Sequence, residues 1–481
     1  MIPATTTSTT TTTSTTTTTT PIPGILILTD NRTYGRSATN NRLLYRCIPN
    51  DKTLPPVLIP YNVNMGFSKV KKNLYILFTT REKTSTLVET IGEIDMLEHF
   101  YEYQLYCRSI KYKQPSFSLL AKRENMATES PSPGPFIFTI DNPGTIDYDD
   151  AFSIETHHET YIKINIYIAN VPHILSVYQL WQHFHLFQKR TASIYLPNKK
   201  IPLFPTKLSE LCSLTAGQER PALVFSLYID KKTHELQSRF SCEIIRVSAN
   251  YVYDADDLLS NAYYNQLLET VQFLSMPCSK SDELVETLMI FMGTKCAEYM
   301  DNGIYLFTSA STADSSLNLQ HKSLTSLYVL EKPEKPYMHI TSPIRRIVDI
   351  ANMAQLILTM ELEPDMEEAR IHIENVKENL SQLNHTNKSI KKVQTQCKLY
   401  YLFKHQPQDK IYIGLLFDKR ETNIPEIYSY SVYLTEYKFM ATIKSGEHDL
   451  SSSKEYRFKL YLLNDATTLK QKIKLQIVGL C

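Results

Sequence analysis

The chain has almost no net charge to offer a partner: 51 Lys and Arg face 50 Asp and Glu, leaving +1 over 481 residues. Without an overall basic field, a polyanion-binding role needs a local positive channel. No apolar run approaches the length of a membrane helix, so no membrane partner is expected. The amino terminus lacks a basic region followed by an apolar one, which argues against a secretory signal. The eight cysteines (Cys47, Cys107, Cys212, Cys242, Cys278, Cys296, Cys397 and Cys481) make no C-x-x-C pair and no zinc spacing. They read as reduced thiols of an intracellular protein. No internal repeat stands out. At 42% hydrophobic the chain can bury a real core, and its length allows two to four domains.

Composition shifts divide the chain. Residues 5–20 are only Thr and Ser, so residues 1–20 should be a disordered tail with nothing to bury. From 21 to about 115, "GILILTD", "LLYRCI", "PPVLIPYN" and "NLYILFTT" are short β-prone runs between turn residues. They suit a small barrel of the OB or cold-shock kind, with another small β-sandwich as the alternative. A polar stretch ending "ESPSPGP" marks a linker over 116–135. In "TYIKINIYIAN", Ile162, Ile164, Ile166 and Ile168 alternate with Lys163, Asn165 and Tyr167, a strand signal. Residues 281–300 and 344–400 read mainly as helix. From about 406 to 481 the pattern returns to β. The expected class is α+β multidomain, a large mixed α/β domain over 136–405 flanked by small β-barrels.

"TIDNPGTIDYDD", residues 139–150, places Asp141, Asp147, Asp149 and Asp150 within ten positions on a connection between strands. A calcium loop needs carboxylates at positions 1, 3 and 5 and a Gly at 6. Counting from Asp141 puts Pro143 at position 3, and counting from Asp147 puts Phe152 at position 6. Both registers fail. A solvated acidic turn stays open as a reading. So does a metal site, because partial burial would raise the carboxylates' mutual repulsion and a dication would remove it. Hard oxygen ligands favour Mg²⁺ or Mn²⁺, one ion or two.

In "HITSPIRRIVDI", residues 339–350, Ser342 suits a helix N-cap and Pro343 the first helical position. Apolar Ile344, Ile347, Val348 and Ala351 follow at helical spacing. The spacing predicts a helix whose first turn carries Arg345 and Arg346, able to grip a phosphate beside free N–H groups. A capped helix with surface arginines is the plainer alternative. An acidic metal cluster and a cationic helix start are complementary halves of a phosphodiester hydrolase.

These stretches resemble the RNB-domain exoribonucleases, the family of ribonuclease II, ribonuclease R and the catalytic subunit of the eukaryotic exosome. "TIDNPGTIDYDD" looks like the family's acidic signature. "IYIANVPHIL", "ASIYLPNKKIPLFPTKLSELCSL", "SANYVYDADDLL", "ELVETLMI" and "YMHITSPIRRIVDIANMAQL" follow in the family's order. "RCIPNDKTLPPVLIPYN" and "IGEIDMLEHFYEYQLYC" are similar to the preceding cold-shock domain, and the β-rich tail sits where the family carries an S1 domain.

The resemblance implies Mg²⁺-dependent, processive hydrolysis of single-stranded RNA from its 3′ end to 5′-nucleoside monophosphates. It implies that Asp141, Asp147 and Asp150 hold metal, and that Asp149 activates water or holds a second ion. Arg345 would contact the scissile phosphate with Arg346 in support, while Tyr195 and Tyr253 stack on terminal bases. A monomer, acting alone or within a larger RNA-degradation complex, is expected. The chain departs from the family at Asn170, at the Met292–Gly293 pair and at Met353. These changes motivate a rival reading, an RNA-binding protein that keeps the fold and has lost turnover. An endonuclease using the same metal site is a third. The basic stretch Lys388, Lys391, Lys392, Lys398 and Lys404 reads as a solvated helix face.

Overall fold

The structure, a computed structural model, describes residues 20–63, 70–81, 84–110, 134–156, 158–274, 276, 278–307, 326–364, 366–446, 450, 454–464 and 471–481. The Thr/Ser tract through residue 19 and most of the 116–135 linker lie outside them. The described residues form two compact units, one of those up to 109 with 463–464 and 471–472, and one of those between 110 and 462 with 473–481.

In the first unit, β1 (Ile22–Leu26), β2 (Leu44–Pro49), β3 (Val57–Pro60), β4 (Leu74–Arg81) and β5 (Thr84–Glu93) form one sheet in the order β3-β2-β1-β4-β5. Its edge strands β3 and β5 also meet, so the sheet curls into a five-stranded, OB-like barrel. Leu26, Leu28, Tyr45, Cys47, Ile59, Ile76 and Phe78 fill its interior. Helix α1 (Leu97–Tyr106) follows and stacks Tyr103 on Tyr75 with centroids 4.1 Å apart.

The larger unit is built on β6 (Phe138–Asp141), β7 (Asp150–Glu155), β8 (Tyr161–Ala169), β11 (Glu219–Asp230), β12 (Leu236–Arg246) and β13 (Ala249–Val252). Their order is β12-β11-β8-β7-β6-β13, antiparallel except for β6 with β13. Between β8 and β11 run α2 (Val171–Val177), α3 (Phe184–Gln188), the hairpin β9 (Ile194–Leu196) and β10 (Lys199–Ile201), and α4 (Thr206–Cys212). The isoleucine alternation does form β8, but its opposite face is buried as well. Asn165 there donates to Ser153 Oγ at 3.0 Å and accepts from Ser226 Oγ at 2.6 Å, and Tyr167 Oη meets Ser153 Oγ at 2.9 Å. A polar cross-strand network thus satisfies the buried side chains.

Helices α5 (Asp256–Leu259), α6 (Ala262–Phe273) and α7 (Ser281–Tyr299) precede a small hairpin, β14 (Tyr305–Phe307) and β15 (Leu327–Val329). Then come α8 (Ile347–Thr359), α9 (Glu367–Glu378) and α10 (Leu380–His405). Helix α8 is almost wholly buried, from Ile347 to Ile357. On α10 the basic stretch is not uniformly solvated. Lys391 Nζ donates to Ser326 Oγ at 2.9 Å and Lys398 Nζ to Tyr437 O at 3.3 Å, while Lys388, Lys392 and Lys404 are exposed. The chain ends in β16 (Tyr412–Glu421), β17 (Tyr428–Leu434), β18 (Phe439–Ser445), β19 (Glu455–Asn464) and β20 (Gln471–Leu480). These pair in the order β18-β17-β16-β19-β20. Counted from its own first strand, this is the order of the first sheet, so both flanking sheets share one topology.

Candidate active site

The acidic turn joins β6 to β7, whose pairing at Phe138 and Phe152 holds its two ends side by side. Gly144 takes φ +78°, a left-handed conformation that favours glycine, and Thr145 N–H closes the bend on Asn142 O at 3.1 Å. Asp141 ends β6 and Asp150 begins β7, so the sheet aims both carboxylates. One oxygen of each, Asp141 Oδ2 and Asp150 Oδ2, is buried with no hydrogen-bond partner.

Asp149 is buried and already engaged. Its Oδ1 accepts Ile344 N–H at 2.8 Å and its Oδ2 accepts Arg345 Nε at 3.2 Å. Burial pushes its pKa up to about 6, against the pull of Arg345 and the Ile344 N–H. Asp141 rises to about 7, through burial first and the charge of Asp149 second. Asp150 rises as well, from burial and then from Asp141 and Asp149. Three carboxylates therefore press on one another, the condition a cation relieves. Asp147 is occupied differently, by the ammonium of Lys200 at its Oδ2.

Among the described residues, no three His, Cys, Asp or Glu side chains converge into a ready-made metal cage. The unpartnered oxygens of Asp141 and Asp150 fit a hard divalent cation. Asp149 and Asp147, held by Arg345 and Lys200, are not presented in the same way. Of the four aspartates taken together in sequence, the structure brings three into mutual electrostatic contact and turns the fourth toward a lysine.

The expected helix start at Ser342 and Pro343 is not observed: α8 begins at Ile347, and both arginines precede it. The cause is pairing with residues 191–193. Ser193 N–H donates to Arg345 O and Ile347 N–H to Thr191 O, each at 2.9 Å, while Ala192 bridges Arg346. Arg346 is thereby held extended, at φ −143° and ψ 129°. Ser342 N–H donates to Asp349 Oδ1 at 2.7 Å, and Arg346 Nη2 to the same oxygen at 3.0 Å. Arg346 Nε also lies 2.9 Å from Asp349 Oδ2, close but off the N–H axis. Arg346 is thus held by a wholly buried carboxylate. Arg345, its side chain 43% exposed, faces Asp149 and also donates Nη2 to Ser342 Oγ at 2.9 Å.

Tyr195 on β9 is 43% exposed, as a stacking surface requires. Tyr253 is half-buried against the core, and its N–H donates to Asp141 O at 3.0 Å. Lys200 and Asp349 were not singled out in the sequence. The run Asn198-Lys199-Lys200 beside Tyr195 was the available signal for the first; Asp349 resembles any helix-start acid.

The departures have local causes. Asn170 caps α2 by accepting His173 N–H at 3.0 Å, and its Nδ2 donates to Glu363 Oε1 at 2.7 Å, where a carboxylate would face another carboxylate. Gly293 admits Tyr337 and Met338: a Cβ there would lie 2.6 Å from the Tyr337 ring and 2.7 Å from Met338 O. Met353 is core. None of the three is a partner of the acidic turn's carboxylates.

Residues 133–276 match the family model for the RNB domain. Ribonuclease R of Chlamydia pneumoniae is 29% identical over 154 residues, 31% of this chain and 22% of that protein. An exosome complex exonuclease of Mus musculus is 24% identical over 184 residues, 38% of this chain and 19% of that protein. The matched region thus spans about a fifth of each of these relatives. Ribonuclease R of Mycoplasma genitalium, solved with double-stranded RNA, superposes with TM-score 0.64 at 15% identity, covering 95% of both chains. Ssd1, a yeast pseudonuclease, superposes with TM-score 0.54 at 14% identity, covering 91% of this chain and 66% of that one. At these identities the structural likeness concerns the fold.

Proposed function

We propose that this chain, a divergent member of the RNB family with its RNB domain at residues 133–276, hydrolyses single-stranded RNA from the 3′ end. The products would be 5′-nucleoside monophosphates, released processively. The observation that carries this reading is the junction of Asp149 with Ile344 N–H and Arg345, beside the unpartnered oxygens of Asp141 and Asp150. Relatives named ribonuclease R and exosome exonuclease support it.

Asp141 and Asp150 are the residues that would hold Mg²⁺ or Mn²⁺, one ion or two. When bound, such an ion polarises a phosphoryl oxygen and lowers the pKa of water. Asp149, with its pKa near 6, is ionised at neutral pH and basic enough to take a proton from attacking water. Arg345 supplies a guanidinium held against the buried Asp149 and partly open to a substrate, preorganised for charge developing on the phosphate. Arg346, tied to Asp349, holds the turn that presents it. Tyr195 and Tyr253 would grip terminal bases by stacking, which tolerates any base. We take the chain to act inside the cell, where free thiols persist, as a monomer or in association with a larger RNA-degradation assembly.

One observation favours a second reading, an RNA-binding protein without turnover: Asp147 and Asp149 both have cationic partners within the protein. The two separate on end-labelled RNA incubated with Mg²⁺ or EDTA. Turnover predicts mononucleotides in Mg²⁺ only, and an endonuclease predicts internal fragments. RNA left intact by wild type and Asp149→Asn alike, with binding retained, would establish the second reading.

A further inference from the structure

The β9–β10 hairpin reaches both halves of the site. At its base Ser193 N–H holds Arg345 O, and Leu203 N–H returns to Ser193 Oγ at 2.9 Å to close the neck. Along its strands Lys200 stands directly opposite Tyr195, with its ammonium 5.6 Å from the centre of the tyrosine ring. The same ammonium contacts Asp147 Oδ2.

Asp147 is fixed from its own side. Ser213 Oγ accepts Tyr148 N–H at 3.0 Å and donates to Ile146 O at 2.9 Å, and Leu214 N–H donates to Tyr148 O at 3.0 Å. The main chain on either side of Asp147 is therefore pinned, and its carboxylate is buried to 4% exposure against the lysine. A buried carboxylate with an ammonium on it is compensated, and removing either partner strands the other charge. A divalent cation on Asp147 would have to displace or share space with that ammonium. The oxygens left without partners belong to Asp141 and Asp150.

We propose that Asp147 is a positioning residue and not a metal ligand: through Lys200 it locks the β9–β10 hairpin so that Tyr195 faces the terminal base of the substrate. Only the identity of what Tyr195 meets rests on the RNA-hydrolase reading; the lock stands without it. The acidic turn then does two jobs with one motif. Asp141, Asp149 and Asp150 serve the phosphate, and Asp147 serves the grip on the nucleotide. A metal ligand lost at Asp147 would lower turnover, whereas a lock lost there raises KM and leaves cation binding intact.

The full chain is tested as Asp147→Asn, Lys200→Met, the charge swap Asp147→Lys with Lys200→Asp, and Asp141→Asn as the metal-ligand reference. Mn²⁺ titration followed by electron paramagnetic resonance, without RNA, should give affinities within about twofold of wild type for D147N and K200M, and a loss for D141N. Binding of a fluorescent oligoadenylate in EDTA should weaken on the order of tenfold in D147N and K200M, the effect of losing one stacked base, and recover in the charge swap. Acetylation of Lys200 read by mass spectrometry, which needs neither RNA nor metal, should speed up several-fold in D147N.

Loss of Mn²⁺ in D147N equal to that in D141N overturns the proposal, as does unchanged Lys200 acetylation in D147N. If wild type neither binds nor cleaves RNA, the RNA-hydrolase reading fails while the acetylation and Mn²⁺ results still decide the lock. Should D147N not fold, K200M decides: Mn²⁺ affinity raised well beyond twofold, as for a ligand freed of its ammonium, or RNA affinity left unchanged, overturns the proposal.

Discussion

Arg345 Nε donates to Asp149 Oδ2 at 3.2 Å across 196 residues of chain. The contact moderates the rise that burial imposes on the aspartate's pKa and fixes the arginine's aim. With Ile344 N–H on the other carboxylate oxygen, Asp149 cannot rotate without breaking two hydrogen bonds.

Asp149→Asn keeps an oxygen for one of those donors but removes the base. Release of mononucleotides from end-labelled RNA should fall about 10²–10⁴-fold, the usual contribution of a positioned proton acceptor. RNA affinity measured in EDTA should stay within a few-fold of wild type. A variant that keeps near-normal turnover would remove Asp149 from the chemistry.

Arg345→Lys retains a positive charge and loses the planar fork that spans Asp149 and Ser342 Oγ. Turnover should drop about 10²-fold or more, comparable to losing one oxyanion donor. The fall should appear in kcat, because the interaction strengthens as charge develops. Steady-state kinetics on a short labelled RNA separates the two parameters.

Metal-free protein should lose stability as pH rises. Asp141 and Asp149 have folded pKa values near 7 and 6, above the about 3.9 of an unfolded aspartate. Raised values mean that the folded state binds protons more tightly. Their stabilising contribution is therefore complete below about pH 3.9 and is lost as pH climbs toward 7. Asp141→Asn should remove part of this dependence and raise stability at pH 8 by on the order of 1 kcal/mol. Urea unfolding in EDTA at pH 5 and pH 8 measures it, and identical pH slopes for wild type and variant would refute it.

Asp349→Ala takes a wholly buried carboxylate from Ser342 N–H and Arg346. Leaving that cation unpaired should cost about 3–5 kcal/mol, and surviving folded protein should show turnover reduced with Arg345 displaced. Chemical denaturation reads the first effect and the RNA assay the second.

Gly293→Asn would add a side chain whose Cβ meets Tyr337 and Met338 O inside contact distance. The main chain cannot yield as a flexible side chain would, so about 1–3 kcal/mol of destabilisation is expected. An unchanged melting temperature would show that the 337–338 segment moves freely.

Some of this was legible in the linear chain for physical reasons. The isoleucine run of β8 reports its strand, because side chains alternate across a sheet. The acidic spacing locates a turn between strands, and the order of motifs identifies the RNB domain. β5, "TSTLVETIGE", was not singled out because its alternation is carried by Thr, Ser and Glu, with few apolar residues.

Ser342-Pro343 has every local mark of a helix start, and local propensity could not foresee the rival for that backbone. Residues 191–193 claim it by pairing, which delays α8 to Ile347, while Ile344 N–H donates to Asp149. Asp147 and Asp149, two positions apart, are equally acidic on paper, yet one meets Lys200 and the other Arg345. The residue types and their spacing settled which chemistry was possible here. Which carboxylate faces which charge depended on contacts between segments far apart in sequence, because an ion pair depends on distance in space and not along the chain.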